Sequence, residues 1–324
     1  MLIDKVKTTI KKYGLFCKGD TVVIGVSGGP DSVTLLWVIN TMKKDFNLKL
    51  HVVHVDHKLR PDSGKDREFV VKLTKKMKIP MTVETIHIKK LSLKGSLEEI
   101  ARNARLGALF QVAKKIKADK IALGHNLDDQ AETLLMRILR GSGLYGLSGI
   151  LPKRKFAGFI VIRPLIEIKR REIEMFLKKR GIKARIDKTN SEDIFFRNKI
   201  RNCLIPLLEK EYSGNLKEIL SNMAENIGYD YDYLLKISNK HLSRSGNMVN
   251  IEKFIRLHPS IRRLVLRSII SRVKGDTRSI TFRHIRELED LIINRPINSI
   301  VDLPKNVSAV KKKKSLVFYR RNTQ

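Results

Sequence analysis

The stretch VVIGVSGGPDSVTLLWVI, residues 22–39, decides the fold. An apolar run, Val22 to Val26, enters the turn Ser27-Gly28-Gly29-Pro30-Asp31-Ser32, and a second apolar run with helical spacing leaves it. A β-strand that turns through glycines into a helix brings backbone N–H groups together at the helix N-terminus, where an anion is favoured. Ser27 and Ser32 add hydroxyl donors. Asp31 carries the wrong charge for a bare phosphate, so a carboxylate here calls for Mg²⁺ to accompany the phosphates.

Two common phosphate loops fail on spacing. The turn lacks the second glycine and the lysine of G-x-x-x-x-G-K-[ST], and Gly25, Gly28 and Gly29 do not fit G-x-G-x-x-G. Working outward, β-rich runs alternate with helical stretches. Thr21–Val26 precedes the helix Ser32–Asp45, Leu48–Val55 the helix Lys65–Met77, Thr82–Ile88 the helix Ser96–Ile116, and Lys120–Leu123 the helix Asp128–Arg140. Alternation of this kind predicts an α/β domain with a doubly wound parallel sheet. Ligands of such sheets bind beyond the carboxyl ends of the strands, where the turn lies. Helices are expected at Lys169–Arg180 and Ile194–Lys210. From about Gly214 the character changes to amphipathic helices at Asn215–Tyr233, His258–Val273 and Thr281–Ile293, closed by a strand pair at Ile300–Leu303 and Ser315–Tyr319. The division expected is therefore residues 1–210, a nucleotide-binding catalytic domain with its linker helix, and residues 211–324, a smaller and mainly helical domain.

Composition sets the boundaries of function. The chain has 324 residues, 42% of them hydrophobic, enough for two cores. Its 66 basic and 33 acidic side chains give a formal charge of +33. Such a surface draws polyanions. A lysine-rich background would explain the lysines alone, but Glu252–Arg286 holds ten basic and two acidic residues, eight of the basic ones arginine, the better phosphate fork. Nucleic acid is the partner this favours. Cys17 and Cys203 are too few for a disulfide framework or a cluster. With no long apolar run and no cleavable leader in MLIDKVKTTIKKYG, a cytoplasmic protein without membrane contact is expected.

Four further segments carry chemistry: HVVHVDHKLRPDSGKD (51–66), SLEEIARNARLGAL (96–109), LGHNLDDQAETLLMRILRGSGLYGLSGI (123–150), and RPLIEIKRREI (163–173) leading to IDKTNSEDIFFRNKIRNCLIPLL (186–208). On a strand His51 and His57 share one face while His54 and Asp56 share the other, so the histidines do not converge on a metal. His54 and His125 instead stand where strand ends meet a nucleotide. Asp129 and Glu132 are three apart and share a helix face. They read either as an acidic pair for a cation or as ordinary N-terminal acidic bias.

The glycine turn resembles the PP-loop of the N-type ATP pyrophosphatases, and the order of all these segments resembles the tRNA(Ile)-lysidine synthetases. The likeness is strong over residues 20–208 and weaker through Leu257–Ile293 and the DLPKNVSAVKKKKSLVFYR ending. It implies that ATP is cleaved between its α and β phosphates, with Ser27, Gly28, Gly29, Pro30, Asp31, Ser32, His54 and His125 at the nucleotide and Asp31 toward Mg²⁺. It implies that lysine is joined to C2 of the wobble cytidine of a CAU-anticodon isoleucine tRNA through an adenylated cytidine. Asp31, Asp129 and Glu132 would be catalytic, and Arg105, Asp129 and Glu132 would hold L-lysine. Arg197, Asn198 and Arg201 would meet the tRNA or the adenylate phosphate, with a plain salt-bridged surface against Glu192 and Asp193 as the alternative. The sequence departs from the family pattern at Lys58, Asn126, Thr189 and Phe196, and it is expected to end where longer members carry another domain. A tRNA thiolase and a small-molecule amide synthetase are the rival enzymes of the superfamily; the first lacks its cysteines here and the second leaves the positive charge idle. Oligomeric state stays open, a homodimer included.

Overall fold

A computed structural model describes residues 1–56, 63–86, 97–156, 158–185, 196–242 and 246–321. His57, Lys58, Thr189, Glu192 and Asp193 lie outside them. The chain forms two compact units, Met1–Asn226 and Ile227–Gln324.

In the first unit, α1 (Leu2–Tyr13) leads to β1 (Thr21–Gly25), α2 (Pro30–Thr41), β2 (Lys49–Asp56), α3 (Ser63–Met77), β3 (Met81–Thr85), α4 (Leu97–Lys115), β4 (Lys120–Ala122) and α5 (Leu127–Leu139). The short α6 (Leu144–Leu147), the strands β5 (Lys153–Phe156) and β6 (Phe159–Ile162), and α7 (Arg170–Lys179) follow. The sheet order is β3-β2-β1-β4-β6-β5. Five strands run parallel, and only β5 is antiparallel, against β6. The chain builds outward from β1 on one side, then crosses to β4 on the other. The gap between the ends of β1 and β4 is therefore the topological switch point where such sheets bind ligands.

The alternation along β1 explains the two layers. Val22 and Ile24 face a core with α1, α2 and α7, while Val23 faces a core with Leu109, Val112 and Ala113 of α4. Helix α2 is apolar nearly all round because it is covered on both sides, Val33, Leu35, Leu36, Val38 and Ile39 all being buried. The expected helices and strands of residues 21–140 fall within a few residues of the observed elements.

The helix expected at Ile194–Lys210 is broken into α8 (Phe196–Lys199), a π-helical turn (Ile200–Leu204) and α9 (Ile205–Glu211). Pro206 has no N–H to give the carbonyl of Asn202, so the α-helical ladder cannot run through this point. A third cluster holds the segment in place: Ile200 and Ile205 pack with Ala131, Leu134 and Leu135 of α5 and with Leu220 and Ala224. The last two belong to α10 (Leu216–Asn239), within which the division between units falls.

The second unit contains β7 (Met248–Asn250), α11 (Ile251–Ile255), α12 (Pro259–Lys274), α13 (Phe282–Ile293), β8 (Ile300–Leu303), β9 (Val307–Lys311) and β10 (Ser315–Arg320). The two strands expected at the chain's end do not pair with each other. The sheet is four-stranded, β7-β10-β9-β8, with β9 between them. Phe254, Val265, Leu266, Leu288, Leu291 and Phe318 fill the core beneath it.

One ion pair pins β1 to β4 at their entrance. Lys120 at the start of β4 is buried against Asp20 just before β1, and Asp20 also accepts the N–H of Cys17 at 2.6 Å. Asp20→Ala leaves the Lys120 ammonium buried without its charge partner and is expected to cost about 3–5 kcal/mol, read as a lowered denaturation midpoint with an unchanged m-value.

Candidate active site

The glycine turn has the expected strand–turn–helix form. Gly28 takes φ +98°, a left-handed conformation that disfavours any side chain. Its carbonyl accepts the N–H of Arg185 at 2.9 Å. Gly29 caps α2, Pro30 opens it, and the first-turn amides that follow have no acceptor within the helix. Ser32 Oγ ties the turn together: it donates to the Gly29 carbonyl at 2.9 Å and accepts the N–H of Ser27 at 3.2 Å. The two hydroxyls lie 3.2 Å apart, so the turn is braced by its own side chains.

A second glycine brings the next loop against it. A Cβ at Gly124, after β4, would stand 3.1 Å from the carbonyl carbon and 3.2 Å from the carbonyl oxygen of Asp31. Two residues on, Asn126 caps α5 in a reciprocal box: its Oδ1 accepts the Asp129 N–H at 2.9 Å, and Asp129 Oδ2 accepts the Asn126 N–H at 3.0 Å. The Asn126 amide donates to Asp31 Oδ1 at 2.9 Å. A continuous hydrogen-bonded path thus runs from the glycine turn to the acidic face of α5.

Asp129 and Glu132 meet as expected from their spacing, and two arginines hold them. Arg197 bridges both, Nη2 to Asp129 at 2.7 Å and Nε to Glu132 at 2.8 Å. Arg201 donates to Glu132 through Nε at 2.6 Å and Nη2 at 3.0 Å. Glu132 is 1% exposed, so its charge is tolerated only because two guanidinium forks satisfy it. Asn198, between them, is buried.

Asp31 is held by Arg170 at the start of α7. Burial, outweighing Arg170, raises the Asp31 carboxyl to about 6, with Asp129 adding repulsion and Asn126 and Arg201 opposing it. A carboxylate beside a phosphate-ready turn suits Mg²⁺, which takes one or two carboxylates plus phosphate oxygens. Among the described residues no cluster of His, Cys, Asp and Glu forms a closed metal cage.

The histidines divide in role. His54 is buried and donates from Nδ1 to the Val26 carbonyl at 2.9 Å, which leaves Nε2 as the ring's acceptor in the neutral form. His51 faces away and bonds Thr82 at 2.8 Å. His125 has its Nδ1 shut off from solvent with no partner among the described residues. Burial, then Arg163, Arg102, Arg197 and Arg105, push its proton affinity well below the ordinary range, so the ring is neutral. Arg105 stands exposed on α4.

Arg170 and Arg163 carried no role in the sequence reading. A signal existed for Arg170: Lys169-Arg170-Arg171 puts cations at a helix N-terminus, against the macrodipole, and that placement needs a carboxylate nearby. Arg163 follows β6 directly, at the carboxyl end of the sheet.

Fold, switch-point cleft and glycine turn together define a PP-loop nucleotide-binding protein, and the family model described as a PP-loop domain matches residues 2–208. The chain is 40% identical to the tRNA(Ile)-lysidine synthase of Clostridioides difficile over 98% of its own length and 70% of the relative's. It is likewise 40% identical to that of Caldanaerobacter subterraneus over its whole length and 70% of the relative's. It therefore belongs to the tRNA(Ile)-lysidine synthase family of ligases. Among solved structures it is similar in fold to the U34-tRNA thiolase NcsA of Methanococcus maripaludis, with TM-score 0.60 and 21% identity over 70% of this chain and 79% of that one.

Asn126→Ala removes both the helix cap and the donor on Asp31. It is expected to cost about 1 kcal/mol and to move the Asp31 carboxyl further up from about 6; chemical denaturation and an NMR titration of the Asp31 carboxyl check the two effects.

Proposed function

We propose that this chain joins L-lysine to C2 of the wobble cytidine in a CAU-anticodon isoleucine tRNA, using ATP. The observation that carries the reading is the path from Asp31 through Asn126 to Asp129, which couples a triphosphate-shaped turn to an acidic pair suited to an ammonium. An amide synthetase of a small acid has no use for a second unit whose exposed Phe282 lies under Arg263 at 5.0 Å and Arg286 at 6.0 Å. That surface, part of the arginine-rich Glu252–Arg286 stretch, suits an RNA backbone and bases.

In the first step the cytidine O2 attacks the α phosphorus, the bond to the β,γ unit breaks, and pyrophosphate leaves. Ser27, Gly28, Gly29, Pro30 and Ser32 cradle the departing phosphates with first-turn amides and hydroxyls, and Asp31 would hold the accompanying Mg²⁺. That ion, when bound, neutralises charge developing on the leaving phosphates. His54 and the neutral His125, at the ends of β2 and β4, line the nucleotide's side of the cleft. In the second step the lysine ε-amine attacks C2, the C2–O bond breaks, and AMP departs. Asp129 and Glu132 hold the ammonium and take its proton, and Arg105 pairs with the lysine carboxylate. An entering ammonium competes with Arg197 and Arg201 for the same oxygens. A fork released from Glu132 is then available to the adenylate phosphate or the tRNA backbone, with Asn198 between the two arginines. Residues 211–324, expected from the sequence to be the mainly helical tRNA-binding part, are the proposed tRNA-binding region and contain the whole of the second unit, Ile227–Gln324.

Mass spectrometry of the wobble nucleoside after incubation with tRNA, ATP and lysine tests the whole; an unmodified cytidine under complete conditions rejects it. Asp31→Ala is expected to abolish pyrophosphate release. Because Mg²⁺ needs the ionised carboxylate, kcat/KM for ATP in the wild type should fall as pH drops through about 6, with a slope of one. Glu132→Gln should raise the KM for lysine at least tenfold while ATP affinity holds, read from the lysine dependence of product formation.

A further inference from the structure

A second basic cleft lies beside the nucleotide site, at the carboxyl end of β6. Arg102 from α4, Arg137 from α5, Arg154 from β5 and Arg163 line it, with Tyr145 and Gly149. No carboxylate is in its wall among the described residues. Arg137 is fixed by donating to the Gly149 carbonyl at 2.7 Å and to that of Gly146. Arg163 is 8% exposed and gives one Nη1 hydrogen to the Leu151 carbonyl at 2.6 Å. Its Nε, also buried, has no partner among the described residues.

A buried guanidinium with an unused donor, facing other guanidinium groups across a cleft whose wall holds no carboxylate among the described residues, is suited to an anion. Burial and the charges of Arg102 and Arg154 bring the Arg163 proton affinity down to about 10, the direction that desolvation and neighbouring like charges produce. The rim says which anion. Tyr145 is 46% exposed, and Arg154 lies over both Tyr145 at 5.8 Å and Phe156 at 5.4 Å. An exposed aromatic ring beside an arginine fork is what a splayed nucleotide needs, base on ring and phosphate on guanidinium. β6 lies two strands from β1, roughly 10 Å along the sheet. The cleft is thus distinct from the PP-loop yet within one or two nucleotides' reach of it.

We propose that this cleft binds a backbone phosphodiester of the anticodon loop next to the base being modified, with a neighbouring base stacked on Tyr145. The inference rests on the ligase reading above and adds where the RNA strand is gripped. Arg163 and Arg137 are preset by backbone carbonyls, Arg102 and Arg154 close from α4 and β5, and the phosphate relieves the repulsion among them.

The test measures affinity for an anticodon stem-loop RNA, without lysine or turnover, in Arg154→Ser, Tyr145→Ala and Arg163→Gln, beside the affinity for ATP. Arg154 and Tyr145 are exposed, so those variants stay informative if Arg163→Gln misfolds on a thermal melt. The expected result is about tenfold weaker RNA binding per arginine, with the slope of log Kd against log salt reduced by about 0.7 for Arg154→Ser, and ATP affinity unchanged. Weaker binding in Tyr145→Ala without a change of salt slope supports the stacking half. Unchanged RNA affinity in Arg154→Ser and Tyr145→Ala overturns the proposal, as does a loss confined to ATP, which would assign the cleft to the nucleotide. A wild type that binds the RNA but makes no lysidine rejects the ligase reading and leaves this binding result standing.

Discussion

The site depends on how closely the loop after β4 approaches the turn after β1. Gly124 lies so near the Asp31 carbonyl that a methyl group there would have to push one loop away. This approach lets the Asn126 side chain cap α5 and reach Asp31 at once. Without it the anion-ready helix end and the acidic helix face would belong to separate surfaces. The buried Lys120–Asp20 pair fixes the same two strands at their other end. Strand spacing does the rest, since neighbouring parallel strands are held within about 5 Å.

Electrostatics then decides what the acidic groups can do. In a chain of formal charge +33, carboxylates inside a cleft are surrounded by cations. Each of the three carboxylates of the candidate site is held by arginine: Asp31 by Arg170, Asp129 and Glu132 by Arg197 and Arg201. Such pairs keep the buried charges tolerable. For the lysine ammonium proposed above, they make entry an exchange of cations rather than a simple gain, so selectivity falls to geometry. A guanidinium fork meets two carboxylates bidentately, whereas an ammonium is a point charge that must find three acceptors. At Asp31 burial outweighs Arg170 and raises the carboxyl to about 6.

Much of this was legible in residues that act through near neighbours. The alternation of β1, the glycine at positive φ and the three-residue spacing of Asp129 and Glu132 are local, and each appears where its pattern placed it. What stayed hidden depends on distant chain. Arg170 meets Asp31 across 139 residues, and no window of sequence contains both. The low proton affinity of His125 comes first from burial and then from Arg163, Arg102, Arg197 and Arg105, which come from three separate segments of the chain. In the second unit, β9 reads VSAVK and runs into a lysine block. Its apolar side is covered by helices far along the chain, so short alternation next to dense charge gave no strand signal. The pairing of Ser315–Tyr319 with Ile300–Leu303 was the natural guess for adjacent strands, and the inserted β9 displaced it.

The broken helix at Phe196–Glu211 shows how one proline shapes the arginine pair. An uninterrupted helix through Pro206 would require a hydrogen bond that its nitrogen cannot make. The ladder widens just before it, and π-helical turns of this kind concentrate at functional sites. Ile200 and Ile205 stay anchored against α5, so the turn between them absorbs the mismatch without loosening the core. Arg197 and Arg201, four apart, keep one face toward Glu132. A segment that presents two arginines to buried carboxylates needs a firm hydrophobic footing and a relaxed backbone directly after it. Here Pro206 supplies the second and the isoleucines the first.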